Sequence, residues 1–226
     1  MRLALAVEGV CSGESNVKKL YVLLAWLLVL HPALAMAQSL PPPKEFYFDE
    51  DPQTTRPVVA IQGADEAAVE RLASNVQRRP DDVESRAQLA AIALRSGRTE
   101  LGRQLYDAAL RSSAGKQRLQ RAVAWNYGWD LYRAGEPQAA LEQWSGLVGG
   151  WPSTPSWQPP TFALVLWKLG QQREAVNWYA AAVRTEPALW SDPANHARLL
   201  PDWTDEERMV LAEVHQAWQE RAAARR

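Results

Sequence analysis

The chain has 226 residues, of which 47% are hydrophobic, 9% aromatic and 23% charged, a balance that excludes a collagen-like or grossly disordered polymer. Lys plus Arg number 25 and Asp plus Glu 26, a formal net charge of −1, so the basic excess on which nucleic-acid binding rests is missing and no nucleic-acid partner is expected. A single cysteine permits neither an internal disulfide framework nor a Cys-rich zinc site.

Lys18 and Lys19 precede an apolar run from Leu20 to Leu30. His31-Pro32 breaks it, and Ala33, Ala35 and Ala37 then place small residues at alternate positions. A positive end, an apolar centre and alternating small residues are the layout of a secretory signal. Eleven apolar residues fall short of the about 20 that a bilayer span needs. Residues 1–37, with 18–37 as the core, are therefore read as a signal peptide cleaved after Ala37 (or Ala35). The alternative is an uncleaved inner-membrane anchor made by 20–37, which would be the chain's one membrane contact. Cleavage leaves Gln38–Arg226, with 22 basic and 24 acidic side chains. Cys11 departs with the signal and no cysteine follows the apolar run, so there is no lipid attachment point. The expected location is periplasmic or secreted.

Residues 38–63 hold Pro41-Pro42-Pro43 and Pro57 and read as an extended linker, because proline lacks an amide donor and restrains its predecessor. A short strand-like piece is expected at Val58–Ile61. From Ala64 onward, amphipathic segments separated by Gly and Pro predict helices near 65–79, 82–96, 99–112, 117–134, 137–149, 160–169, 172–185 and 204–222. No alternating run competes as a sheet, so the fold class is all-α.

Internal repetition is the strongest signal. Gly135-x4-Ala140-x3-Trp144-x7-Pro152 recurs as Gly170-x4-Ala175-x3-Tyr179-x7-Pro187, offset by 35 residues. An earlier copy, Gly97-x4-Gly102-x3-Tyr106-x2-Ala109, is offset by 38, and Gly63-x4-Ala68-x3-Leu72-x7-Pro80 makes a half copy before it. This pattern resembles the tetratricopeptide repeat family, a helix–turn–helix unit of about 34 residues. The resemblance puts Gly97, Gly135 and Gly170 at the turn. Gly102, Ala140 and Ala175 fall at the close helix crossing, Tyr106, Trp144 and Tyr179 at the aromatic position, and Ala90, Gly128 and Ala163 at the small position of the first helix. Ala182 is small where copy two has Leu147, and Ala114 replaces the closing proline of copy one. The units are 64–82 (a half copy), 83–114, 121–152 and 156–187, followed by a loop and a C-terminal capping helix within 188–226. What is implied is a repeat solenoid, a tetratricopeptide-like superhelix whose copies stack because one helix pair cannot bury its apolar face alone. Thr204 and Glu207 have capping-box spacing at the start of the last helix, which carries an apolar stripe of Val210, Leu211, Val214 and Trp218.

Chemistry is not evident. His196 and His215 stand 19 residues apart without a carboxylate at ligand spacing, no Gly-x-Ser-x-Gly elbow exists, and Gly149-Gly150 lacks the Lys-Ser/Thr of a phosphate loop. No enzyme activity, catalytic residue, cofactor or metal is expected. The unusual feature is tryptophan, ten of eleven of which follow Ala37. In a solenoid of this family, the inner wall draws on positions 2, 5, 9, 12 and 13 of each first helix. Those positions hold Trp125, Trp129, Tyr132 and Arg133 in copy two, Trp157, Trp167 and Lys168 in copy three, and Arg95 in copy one. The expectation is an aromatic groove with Arg95, Arg133 and Lys168 repeated along its rim, unless a neighbouring unit or the linker covers the rings. The family's carboxylate-clamping groove is missing, since its five positions read Ala87, Ala91, Asn126, Trp157 and Thr161 and only Asn126 matches. The expected function is a periplasmic scaffold that binds a protein or peptide of the cell envelope through this groove, with binding of cell-wall glycan as the alternative.

Overall fold

Short Gly-bearing joints leave each helix its sequence neighbour as the nearest cover for its apolar stripe, and the chain folds into adjacent helix pairs. In the computed structural model, residues 40–43, 48–149 and 154–225 are described, all within one compact unit, Leu40–Arg226. The signal segment and Pro152 lie outside the described residues. The helices are α1 Glu66–Arg78, α2 Val83–Arg95, α3 Thr99–Ser112, α4 Gln117–Arg133, α5 Pro137–Ser145, α6 Gln158–Lys168, α7 Gln172–Thr185, α8 Pro187–Trp190, α9 His196–Leu199 and α10 Asp205–Ala223. Two-residue strands, β1 Phe48–Asp49 and β2 Thr154–Pro155, pair in parallel. The described residues are otherwise mostly helical, with turns and loops between the helices. α2 packs on α3, α4 on α5 and α6 on α7, while α4 also touches α2 and α3, α6 touches α5, and α10 lies across α6 and α7.

The three pairs turn in the same way. Gly97, Gly135 and Gly170 have φ of 75°, 84° and 75°, left-handed values that glycine adopts without a Cβ clash. At each, the glycine amide donates to the carbonyl three residues back and the next amide donates five residues back: Gly97 to Leu94 and Arg98 to Ala93, Gly135 to Tyr132 and Glu136 to Leu131, Gly170 to Trp167 and Gln171 to Leu166. This is the Schellman arrangement, which satisfies carbonyls that the helix end leaves open. The second helix of each pair begins two residues later.

Close crossings follow the small residues. Ala140 and Ala175 are fully buried, as are Trp144 and Tyr179, while Tyr106 is 1% exposed. A Cβ built on Gly128 would stand 2.2 Å from Trp144 Nε1, so α4 must be glycine where the Trp144 indole crosses it. The indole N–H donates to the Trp125 carbonyl at 3.3 Å, which satisfies the polar end of a buried ring.

Several boundaries differ from expectation. Residues 58–61 form no strand, because three of their four amides are taken by side chains: Val58 N–H donates to Asn126 Oδ1 and those of Ala60 and Ile61 to Gln88 Oε1. α6 begins at Gln158, two residues before the expected start at 160, since the first helical amides have no intrahelical acceptor and proline there forfeits nothing. α5 stops at Ser145, and Gly149 at φ 84° turns the chain beyond it. The loop expected after Pro187 instead contains α8, a 3-10 turn at Pro193–Asn195 and α9. The Thr204–Glu207 capping box is present, with Glu207 N–H donating to Thr204 Oγ1 at 3.2 Å and Thr204 N–H to Glu207 Oε2 at 2.8 Å.

Gly128→Ala is expected to lower the unfolding free energy by about 2 kcal/mol, because the added methyl displaces a fully packed indole. Gly146→Ala, whose Cβ meets nothing nearer than 3.4 Å, serves as the control and should change urea unfolding by less than about 0.5 kcal/mol.

Candidate functional site

The first helices of the three pairs, α2, α4 and α6, contribute side chains to one cavity of about 600 Å³, completed by residues of segments 50–57 and 186–203. Among the described residues five indoles line it: Trp125 and Trp129 from α4, Trp157 before α6, Trp190 at the end of α8 and Trp203 before α10. Their rings hold one another, with Trp125 and Trp157 centroids 4.7 Å apart, Trp129 and Trp203 5.1 Å, and Trp125 and Trp129 edge to face at 5.8 Å. Trp144 supports both α4 indoles, at 5.9 Å from Trp125 and 5.1 Å from Trp129. Each cavity indole is only 5 to 8% exposed, so the wall is also core. Trp190 Nε1 is buried without a hydrogen-bond partner among the described residues.

The expected basic rim is reorganised by buried carboxylates. Arg95 directs both Nε and Nη2 at Asp130 Oδ1, each at 3.1 Å, and Tyr106 OH donates to Asp130 Oδ2 at 2.6 Å. Burial, with the Asp130 carboxylate beside it, pushes the Tyr106 phenol well above its ordinary range. Arg133 grips Glu207 with a fork, Nε to Oε1 at 2.8 Å and Nη2 to Oε2 at 3.1 Å, and lies 5.0 Å over the Trp129 ring. That hydrogen bonding to Glu207 holds the guanidinium pKa above its usual value. Glu207 thus caps α10 and ties it to α4 with one carboxylate. Both arginines of the expected ladder are engaged within the molecule. Lys168 is exposed, and Trp167 donates its indole N–H to Glu213 of α10 at 2.9 Å. Among the described residues neither of these two lines the cavity, and Trp167 is turned to α10 through that bond. Tyr132 is half-buried against Trp129 and Trp144, its phenol pushed up to about 12 by burial.

Part of the linker forms a strap over α2 and α4. Asn126 donates to the Arg56 carbonyl and accepts from Val58 N–H, while Gln88 accepts from Ala60 and Ile61 and donates to the carbonyls of Ile61 and Gly63. Arg56 pairs with Glu84 at 3.0 Å. Further back, buried Asp51 accepts from Thr54 N–H and Trp157 Nε1 and stands 3.7 Å from Arg121, whose Nε donates to Thr54. Asp51, Gln88, Arg121 and Asp130 escaped the sequence reading. Asp130 alone carried a local signal, an acid set between Trp129 and Leu131.

The two histidines, distant in sequence, converge with Tyr179 beneath α10. Both are buried and their rings are 6.5 Å apart. Tyr179 OH lies 2.8 Å from the Trp190 carbonyl and 2.9 Å from His196 Nε2. A carbonyl only accepts, so the hydroxyl proton belongs to that bond and His196 Nε2–H donates to the phenol oxygen. His215 Nε2 likewise donates to the Ser191 carbonyl at 2.9 Å. Burial, aided by His215, pushes His196 down to about 4. These contacts fasten the 186–203 segment and so the cavity wall.

Among the described residues no group of three or more His, Cys, Asp or Glu could hold a metal ion, and no helix is long and apolar enough to cross a membrane. No family model, curated protein or solved structure matches the chain.

Two measurements test this geometry. A double-mutant cycle on Arg133→Ala and Glu207→Ala should return a coupling energy of about 2 kcal/mol, above the 1 kcal/mol or less of exposed pairs. His196 has a folded pKa of about 4 against 6.5 unfolded, so the unfolded chain takes up the proton first. Stability is complete above pH 6.5 and declines as pH falls toward 4, by about 3 kcal/mol, and His196→Gln should flatten urea midpoints measured across that window.

Proposed function

We propose that this chain is an exported scaffold of the tetratricopeptide type, which holds a segment of a cell-envelope protein in its cavity. Export rests on the signal layout of residues 18–37, and the repeat reading on the turn, crossing and aromatic landmarks at offsets of 38 and 35 residues. The observation that carries the reading is a single cavity fed by the first helix of each of three successive pairs. Its volume of about 600 Å³ matches the concave, aromatic-lined sites that take small ligands or the side chains of a bound segment. Trp and Arg are also the residue types most often found at the energetic centre of an interface.

Glycan binding is the weaker reading. Stacking on a sugar needs a broad open ring face, whereas these indoles pack edge against face and leave a few per cent exposed. The Gln88 and Asn126 contacts show how carboxamides on α2 and α4 hold extended backbone, here that of residues 56–63.

Leu189→Trp and Leu200→Trp, which fill the cavity from half-buried positions on its wall, should cut recovery of envelope partners by about tenfold while leaving helical circular dichroism unchanged. Undiminished recovery by both variants, with photo-crosslinks from position 189 mapping to no partner segment, would remove the cavity from the function.

A further inference from the structure

The charges around the cavity are not those of a basic groove. Arg95 is matched by Asp130 and Arg133 by Glu207. Glu50, Glu186 and Asp202 also line or rim the cavity, and among the described residues none of these three carboxylates makes an ion pair or a side-chain hydrogen bond. Glu186 precedes α8 without using its side chain as a cap. With both arginines neutralised in place, the unmatched charge facing an incoming group is negative.

We infer that the cavity selects a cationic segment of its partner, inserting an arginine or lysine side chain among the indoles. This rests on the scaffold reading above and names the chemistry of the occupant. Three features converge on it. The unpaired carboxylates supply charge complementarity, which steers and selects partners more than it adds raw affinity. Indoles are the best aromatic partners of a cation, attracting it through the negative charge of the ring face. The pocket already accommodates one such contact, the Arg133 guanidinium 5.0 Å over Trp129. The narrow exposure of each ring also favours a compact ammonium or guanidinium head, which meets several rings at once, over a flat ligand that needs one open face. The stem of such a side chain suits the apolar wall made by Leu189, Leu199 and Leu200.

The test uses the whole exported chain and capped tripeptides, acetylated and amidated so that the termini carry no charge. Tri-arginine and tri-lysine should produce a saturable change in tryptophan emission, weakening with added salt. Triglycine should bind at least about tenfold more weakly, and triglutamate should give no response. The triple variant Glu50→Gln, Glu186→Gln, Asp202→Asn neutralises three carboxylates without a bonded partner and keeps their size, so folding is preserved, and it should weaken tri-arginine binding by about tenfold. A response to triglutamate as strong as that to tri-arginine, or tri-arginine binding unchanged in the triple variant, would overturn the inference. Equal responses to all the peptides, abolished by Leu200→Trp, would overturn the cation preference while leaving the scaffold reading intact. No response to any peptide, with envelope partners still lost on cavity filling, would have the same meaning. A tri-arginine response that survives both Leu189→Trp and Leu200→Trp would place binding outside the cavity and overturn both.

Discussion

The contact between Trp144 and Gly128 governs the middle of this molecule. An indole can cross an α-helix this closely only where no Cβ intervenes, and glycine in a helix interior carries a penalty of roughly 0.5–1 kcal/mol relative to alanine. That cost is offset by what the crossing permits. Trp144 reaches the Trp125 carbonyl and touches Trp125, Trp129 and Tyr132 together, so α5 and α4 lock as one layer. Through those rings the layer continues to Trp157 and Trp203, which lie outside the pair. The aromatic cavity is therefore the open side of a packed aromatic core, and its shape is as fixed as the core that supports it.

Electrostatics are divided between scaffold and cavity. Asp130 and Glu207 are buried carboxylates, and a buried charge without partners would be far costlier than the pair it makes. Each is surrounded by donors: Tyr106 and Arg95 at Asp130, Arg133 and the Thr204 amide at Glu207. These contacts cross from one helix pair to the next, or from α4 to α10, and fix the relative placement of layers that apolar packing alone would let slide. The arginines that an inspection of spacing assigns to ligand recognition are, in three dimensions, structural partners.

Two segments outside the three helix pairs complete the walls of the cavity. The strap ahead of α1 is held through its backbone by Gln88 and Asn126, and its foot is anchored by Asp51 between Trp157 and Arg121. The segment between α7 and α10 is fastened by the Tyr179, His196 and His215 contacts. The first helices of the three pairs each contribute to the cavity wall, and these two segments determine how much of that wall remains accessible.

The amino-acid sequence alone determined what depends on neighbours a few residues apart. Helix content, the turns at Gly97, Gly135 and Gly170, the small and aromatic positions of the crossings and the Thr204–Glu207 cap all follow from local backbone chemistry at recurring spacing. The start of α6 lies two residues earlier than the pattern suggests, because proline in the first turn of a helix removes no intrahelical bond. Only the tertiary structure decided the charges and exposure of the cavity. Arg95 meets Asp130 across 35 residues, Arg133 meets Glu207 across 74, and Asp51 meets Trp157 across 106. No periodicity encodes such pairs, since a side chain's partner at that distance is set by how whole helices pack, and by that packing a basic rim became two internal ion pairs.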